Sequence, residues 1–184
     1  MRRSGCGKIL LLQIAEIISA MSDAILIRPL AASQIAQAFP VLSVVDPQLS
    51  AAQWQDYAAA VVENGAAGGR TGILTAQSEE GCIYALSSHT LKPDLHEGRI
   101  LEIENFAVAA LLGNLVPARA LLDGLETLAR ERECSCVGLS LLNPLMRKWL
   151  RERSNPAVEL FRSAGFRGEQ LRLRKCFQAA GASV

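Results

Sequence analysis

Two glutamates in the run GRILEIENFAV (Gly98 to Val108) are the residues best suited to acid–base chemistry. The run is typical of a β-strand, in which alternate residues share a face, so we expect Glu102, Glu104, Phe106 and Val108 to point the same way. A carboxylate shielded from water in a cleft becomes a better proton acceptor. The pair therefore predicts a general base, with Glu102 or Glu104 in that role.

A purely structural role explains the same two glutamates equally well. Glu102 and Glu104 would then be partly solvated strand residues, or they would form ion pairs with Arg99 or Lys92. Exposed ion pairs of this kind contribute little to stability and imply no chemistry. Both interpretations stay open at the level of the sequence.

The segment LLGNLVPARALLDGLE (Leu111 to Glu126) follows that strand and has the outline of a phosphate-binding loop and helix. Its second half has helical periodicity, with an apolar stripe formed by Leu121, Leu122, Leu125, Leu128 and Ala129. A helix N-terminus presents unpaired N–H groups and a partial positive charge, which suit a phosphate group. Alternatively, Gly113 only ends the strand, Pro117 is a favourable first-turn residue, and the helix only packs the core.

Other chemically able residues give weaker indications. His89 and His96 are expected in a polar loop, His89 to Glu97, at a spacing that matches no zinc pattern, so we expect solvated histidines and no metal site. The five cysteines are an odd number with no pair of CxxC motifs, so we expect reduced thiols in a cytoplasmic protein: Cys6, Cys82, Cys134, Cys136 and Cys176.

Composition limits the class of protein. The 184 residues are 50% hydrophobic and 20% charged, which fits one globular domain with a single core. The net charge of +1, with the basic residues scattered, excludes the concentrated basic surface typical of nucleic-acid binding. We therefore expect no nucleic-acid partner.

The N-terminal residues 1–24 are expected to lie outside the fold. They combine basic residues with an apolar run, but Gln13 and Glu16 interrupt that run, and it is too short to span a bilayer. We expect no membrane partner, a single domain over residues 25–178 and a tail over 179–184.

From Ile25 onward, the periodicity predicts the order strand, two helices, three strands, helix, strand, helix, strand. The first helix is expected over Ala31 to Leu42 and is interrupted by Pro40 and Pro47. The second begins near Ala51 after a capping box of Ser50 and Gln53, and ends at Asn64 and Gly65. The remaining expected elements are the strands GILTAQ (72–77), CIYALSS (82–88), Gly98–Val108, Cys136–Leu142 and LRLRKCF (171–177), and helices around Leu121 and from Leu145 to Ala164.

Three pieces of the sequence, taken in order, resemble the GCN5-related N-acetyltransferase (GNAT) family. They are IRPL in the first strand, ENFAV with the following loop and Leu-rich helix, and AVELFRSAGF (Ala157 to Phe166). The resemblance covers Ile25 to Phe177. It implies a mixed α/β fold with a central, mostly antiparallel sheet of about six to seven strands flanked by about four helices.

The same resemblance implies an activity and a cosubstrate. A GNAT protein transfers an acetyl or other short acyl group from acetyl-CoA, or another acyl-CoA, to a primary amine, without a metal. By analogy, the backbone of Phe106, Ala107 and Val108 would pair with the pantetheine arm. The pyrophosphate would lie on the loop and helix start formed by Gly113, Asn114, Leu115, Val116, Ala118 and Arg119. A homodimer is compatible with this family.

Two departures from the family pattern favour a protein without acyltransferase activity. The family loop Arg/Gln-x-x-Gly-x-Gly/Ala places Gly113, Val116 and Ala118 at its signature positions, and only Ala118 matches. Val116 adds a branched side chain and Pro117 removes an amide donor, which Arg119 would partly offset by pairing with a phosphate.

The second departure is Phe161, which stands where many members carry a tyrosine that protonates the leaving thiolate. Because a phenyl ring has no proton to give, Ser154, Asn155 or water would have to do so. A catalytically inactive binding or regulatory module is therefore the alternative, and a dimeric interaction protein is a third.

Overall fold

The computed structural model describes residues 25–66, 68–109, 115–140 and 156–166. Five strands form one sheet in chain order. Neighbours are antiparallel from β1 to β4, whereas β4 and β5 are parallel. The strands are β1 (Leu26–Pro29), β2 (Thr71–Gln77), β3 (Ile83–Asp94), β4 (Gly98–Val108) and β5 (Cys136–Leu139).

In the described part of the chain, four α-helices accompany the sheet, as predicted. They are α1 (Ile35–Val45), which follows a 3₁₀ turn (Ala32–Gln34), α2 (Ala51–Ala66), α3 (Val116–Glu131) and α4 (Pro156–Ser163). The mixed α/β architecture with a mostly antiparallel sheet is confirmed. Five strands are described rather than six or seven, and the predicted strand over 171–177 lies outside the described residues.

The helices lie on both faces of the sheet. The amide of Gln34, at the start of α1, donates to Gln77, and Gln77 points away from the face of Ala76 and its partner Ile27. The indole N–H of Trp54 joins α2 to α1 through the Ile35 carbonyl, at 2.6 Å. On the Ile27 face lies α3, where a Cβ on Gly124 would stand 2.7 Å from the Ile27 Cγ2. That close approach fixes the distance of α3 from the sheet.

The helix α1 differs from its prediction, because Pro40 does not interrupt it. A proline removes one backbone hydrogen bond, to the carbonyl four residues earlier. Pro40 and Ala36 are both exposed, so water can satisfy that carbonyl. The opposite side of the helix contributes five buried residues to the core, which outweighs the loss: Ile35, Ala38, Val41, Leu42 and Val45.

The strand β3 is longer than predicted. The segment expected as a polar loop from His89 continues as β-strand to Asp94, which pairs with Gly98. β2 accompanies β3 only as far as Thr90. Beyond that point Pro93 lies near the tip of the β3–β4 hairpin, where a strand position without an N–H is tolerated. The loop therefore shortens to residues 95–97.

Local signals were predicted correctly at two turns. Ser50 and Gln53 form the reciprocal capping box that starts α2, with their backbone N–H groups donating at 3.0 and 3.2 Å. The SEEG segment closes the β2–β3 hairpin, with the Gly81 N–H donating to the Ser78 carbonyl at 3.0 Å. Among the described residues, no helix is long and apolar enough to cross a membrane.

Candidate active site

A β-bulge in β4 decides which side chains share a face. Ser88 pairs with Glu104, and Leu86 pairs with Ala107, so two residues of β4 lie opposite Ser87. Asn105, one of the two, has a φ of 51°, in the left-handed region. The extra residue reverses the alternation beyond it.

The four residues predicted to share one face of β4 therefore lie on two different faces. Glu102 and Glu104 pair with Thr90 and Ser88, two residues apart on β3, and they share a face as expected. Val108 pairs with Ala85, an odd number of residues from Ser88, and so points to the other face. The placement of Phe106 and Val108 beside the glutamates is wrong, because a period of two does not hold across a bulge.

Glu102 lies under the end of β5. Its Oε1 accepts a hydrogen bond from the Ser140 hydroxyl. Gly138, its register partner on β5, gives it room, because a Cβ there would be 2.7 Å from the Glu102 Oε2. The Glu102 carboxylate is half-buried, and its donor Ser140 directly follows the last residue of β5.

Glu104 is engaged by a cation. The Lys92 Nζ lies 3.3 Å from its Oε1, and the side chains of Lys92 and Glu104 are 33% and 24% exposed. Of the two ion pairs considered from the sequence, the one with Lys92 forms. Arg99 instead lies 4.0 Å from Glu133.

Three polar residues that the sequence did not indicate gather beside these carboxylates. The Asn105 amide donates to the Tyr57 hydroxyl at 3.2 Å and to the Ser88 hydroxyl at 3.1 Å. Ser88 in turn donates to the Glu104 carbonyl at 3.1 Å. No local signal links Tyr57 on α2 to Asn105 on β4, 48 positions away, so only the tertiary structure brings them together.

Among the described residues, the pairing of β5 with β4 ends at Ile103, and we call the point beyond it the β4–β5 opening. The two strands pair from Ile100 to Ile103, and the Ser140 N–H donates to the Ile103 carbonyl at 2.9 Å. Among the described residues, the outer edge of β4 from Glu104 to Val108 has no strand partner. Phe106, Ala107 and Val108 lie on this edge, with their other edge turned to β3.

The Phe106 side chain belongs to an aromatic cluster. Its ring meets that of Phe161 edge-on at 5.2 Å, and Phe161 meets Phe166 at 5.8 Å. Phe161 is 4% exposed and fixes α4 against β4. The position that carries a tyrosine in many GNAT proteins is therefore a packing position here.

The start of α3 is the candidate phosphate site. Gly113 and Asn114 lie outside the described residues. Leu115 is the N-cap residue, no side chain of the described residues caps the helix, and its first turn contains no acidic residue. Val116 is 59% exposed, whereas Ala118 is fully buried and faces the core. The start of the helix thus offers unpaired backbone N–H groups and a partial positive charge, although Pro117 has no N–H and so reduces the number of these donors.

The Arg119 side chain contacts residues of α3 and α4. Its Nε donates to Asp123 at 3.1 Å, and its Nη1 approaches the Ser163 hydroxyl at 3.4 Å. The Arg119 and Asp123 side chains are 47% and 57% exposed. An exposed pair of this kind contributes about 0 to 1 kcal/mol, so the guanidinium can be redirected at little cost.

The histidines and cysteines are poorer candidates for chemistry than the two carboxylates. The expectation of a solvated His89 is wrong, because it lies in β3, with its ring over Gly72 and a buried Nδ1 that has no hydrogen-bond partner among the described residues. Slight desolvation of the thiols raises the pKa of Cys134 and of the mostly exposed Cys136, which reduces the fraction of nucleophilic thiolate. Among the residues described, no cluster of three His, Cys, Asp or Glu side chains is arranged for a metal ion.

Comparison with known proteins identifies the fold. No protein-family model and no curated protein matches the sequence. Glucosamine-6-phosphate N-acetyltransferase from Arabidopsis thaliana is 17% identical, with a TM-score of 0.60, covering 85% of this chain and all of that chain. An aminoglycoside N-acetyltransferase solved in complex with CoA is 9% identical, with a TM-score of 0.64, covering 85% and 96% of the two chains.

A third similar structure is described as a transcriptional regulator from Bacillus halodurans. It is 17% identical, with a TM-score of 0.63, covering 84% of this chain and all of that chain. The protein therefore has the fold of the GCN5-related N-acetyltransferases, as the sequence motifs predicted.

Proposed function

We propose that the protein is an N-acyltransferase that moves an acetyl or other short acyl group from acyl-CoA to a primary amine. The observation that carries this proposal is the opening of the sheet between β4 and β5. There the backbone edge Glu104–Val108, which has no strand partner in the described part of the chain, follows the half-buried carboxylate of Glu102 along β4. The shared fold with named acetyltransferases supports the same assignment.

The residues present fit acyl-CoA. An extended pantetheine arm can add to the open edge of β4 at Phe106, Ala107 and Val108 as a further strand, and such backbone pairing tolerates most side chains. The pyrophosphate would lie at the N-terminus of α3, against Leu115, Val116 and the Ala118 amide, where the helix charge favours an anion. When bound, acyl-CoA supplies an activated thioester.

Glu102 is the general base of this proposal. The acceptor amine must lose a proton as its nitrogen attacks the thioester carbonyl, and a positioned carboxylate can take that proton. Glu102 lies beside the β4–β5 opening and accepts from the Ser140 hydroxyl, whereas Glu104 forms an ion pair with the Lys92 ammonium. Glu104 is thus better suited to orient the acceptor or the site than to accept a proton. Phe161 is buried and has no acidic proton, so the leaving thiolate would take its proton from water, Ser154 or Asn155, of which the two residues lie outside the described part of the chain.

The acceptor would approach from the face of the sheet that carries α1 and α2. Glu102 and Glu104 point to this face, and the Tyr57 hydroxyl reaches it through Asn105. The two carboxylates of Glu102 and Glu104 outnumber the one ammonium group of Lys92, and this net negative charge favours an acceptor that arrives as a protonated amine. The two similar acetyltransferases are named for different acceptors, glucosamine-6-phosphate and aminoglycosides, so the acceptor itself is to be found by screening.

The proposal is tested by the release of CoA thiol from acetyl-CoA with a panel of primary amines. Glu102→Gln should lower kcat by about 10²- to 10⁴-fold, because general-base catalysis contributes about that much. Glu79→Gln, the same change on an exposed residue of the β2–β3 turn, should leave kcat unchanged. Exposed Cys82 and Cys136 react with thiol reagents, so protein without amine provides the background.

A catalytically inactive binding module is the alternative. Phe161 in the core and the branched Val116 at the helix start favour it, as does a regulator with the same fold. Turnover of no amine by a protein that binds acetyl-CoA would support this alternative. An unchanged kcat in Glu102→Gln would instead reject Glu102 as the base.

A further inference from the structure

A polar pocket, the basic pocket, lies at the end of the sheet opposite the β4–β5 opening. Its volume is about 510 Å³, within the usual range for small-molecule sites. The charged residues that line it are Arg70, Lys92, Arg99, Arg132 and Glu133. They come from the α2–β2 connection, the β3–β4 hairpin and the end of α3.

The pocket concentrates positive charge. Four cations face one carboxylate here, a local excess of three, whereas the whole chain carries only +1. Lys92 is shared with Glu104, which leaves three arginines. A concave surface with one sign of charge focuses its field and attracts the opposite ion.

One guanidinium is held in place. The Arg99 Nη1 donates to the Arg132 carbonyl at 2.8 Å and lies 4.0 Å from the Glu133 carboxylate. The backbone of Arg99 is fixed as well, since the Ser135 N–H donates to its carbonyl at 2.9 Å. The unpaired carbonyl groups at the C-terminus of α3 carry partial negative charge and would repel an anion. The Arg99 guanidinium binds one of these carbonyls, and the positive charge of Arg132 lies beside it.

This pocket is separate from the proposed acyl-CoA site. Gly98 lines the pocket, and Phe106 lies eight positions along the same strand. At about 3.3 Å per residue, the two sites are roughly 25 Å apart. The pyrophosphate of acyl-CoA on the N-terminus of α3 cannot also reach this pocket at the other end of that helix.

The lining residues indicate the class of ligand. Arginine forks pair with phosphate oxygens through two parallel hydrogen bonds. None of the residues that line the pocket is aromatic, so it provides no surface on which a nucleobase would stack. We propose that this pocket binds a compact phosphorylated small molecule with at least two negative charges, held by Arg70, Arg99 and Arg132.

Calorimetric titration of inorganic pyrophosphate into the full chain tests this proposal. With excess acetyl-CoA present to occupy the start of α3, we expect one saturable site, weakened about tenfold by Arg70→Gln and by Arg132→Gln, because each removes a charge-assisted hydrogen bond. Raising the salt from about 0.05 to about 0.5 M should weaken binding further. Arg70→Lys, which keeps the charge and loses the fork, should fall between the wild type and Arg70→Gln.

Two matched variants locate the site. Arg130→Gln removes the same charge from the same end of α3, but Arg130 pairs with Glu126 and does not line the pocket, so binding should be unchanged. Arg119→Gln alters the proposed CoA site and should leave pyrophosphate binding in the basic pocket unchanged. The proposal is overturned if the folded wild type shows no saturable binding, if Arg130→Gln weakens binding as much as Arg70→Gln does, or if only Arg119→Gln does. The first two outcomes do not bear on acyl transfer, whereas the third would place the anion at the proposed CoA site instead.

Discussion

His89 shows how tertiary contacts alter a single side chain. A loop histidine was expected from its polar neighbours, but β3 continues through it and carries the ring over Gly72. A Cβ on Gly72 would be 2.6 Å from the His89 Cε1, so the glycine permits this approach. Burial, assisted by the positive charge of Arg132, lowers the pKa of His89 from 6.5 to about 4.

This histidine should make the fold sensitive to mild acid. The unfolded chain takes up a proton near pH 6.5 and the folded chain only near pH 4. Its contribution to stability is therefore fully present above pH 6.5 and is lost as the pH falls from 6.5 to about 4. At about pH 5 the loss should be about 2 kcal/mol relative to about pH 7.5.

Urea unfolding of the wild type and of His89→Phe at these two pH values measures the effect. The variant keeps a ring over Gly72 but does not titrate, so its free energy of unfolding should change less with pH. His96→Phe, an exposed histidine in the β3–β4 turn, serves as the control and should behave like the wild type. An equal pH dependence in wild type and His89→Phe would contradict a neutral, buried His89.

At the scale of the element, the bulge in β4 organises the candidate site. It leaves Glu102 and Glu104 on the face of α1 and α2 and turns Phe106 to Phe161 on the other face. Asn105 suits this position because asparagine tolerates the left-handed region better than most residues. Its amide also holds the Tyr57 and Ser88 hydroxyls.

Asn105→Val should lower the free energy of unfolding by about 2 to 3 kcal/mol, because a β-branched residue is strained at positive φ and the hydrogen bonds are lost. Asn105→Gly loses the same bonds without the strain and should cost about 1 kcal/mol. Chemical denaturation of both variants separates the two contributions. If valine is tolerated as well as glycine, the bulge does not impose the conformation described above.

Local patterns predicted most element boundaries, and long-range packing accounts for what they missed. The limits of β4 and the capping box of α2 depend on neighbours in sequence, and both were predicted. Pro40 within α1 and the bulge at Asn105 depend on what packs against them, which a single sequence does not reveal. For the same reason the glutamate pair was predicted, but Tyr57 and the Lys92 partner of Glu104 could not be assigned.

At the scale of the molecule, the β4–β5 opening and the start of α3 form one binding site only if a single ligand contacts both. Gly124 brings α3 close to β1, and the aromatic contact of Phe106 with Phe161 fixes α4 against β4. The proposed cosubstrate would run along the open edge of β4 to the first turn of α3. Its binding is therefore the property that depends on the whole arrangement.

Calorimetric titration of acetyl-CoA tests this most directly. We expect micromolar binding with one site per chain. Val116→Asp should weaken it at least about tenfold, because a carboxylate at the helix start repels the pyrophosphate and competes for the same positive end. Arg119→Ala should weaken it less, since that side chain must first leave Asp123.

Leu95→Asp is the matched control, because it also replaces an exposed apolar residue by aspartate, in the turn at the far end of β4. This variant should bind acetyl-CoA like the wild type. No saturable heat from the folded wild type, or the same loss in Leu95→Asp as in Val116→Asp, would contradict a cosubstrate site at the start of α3.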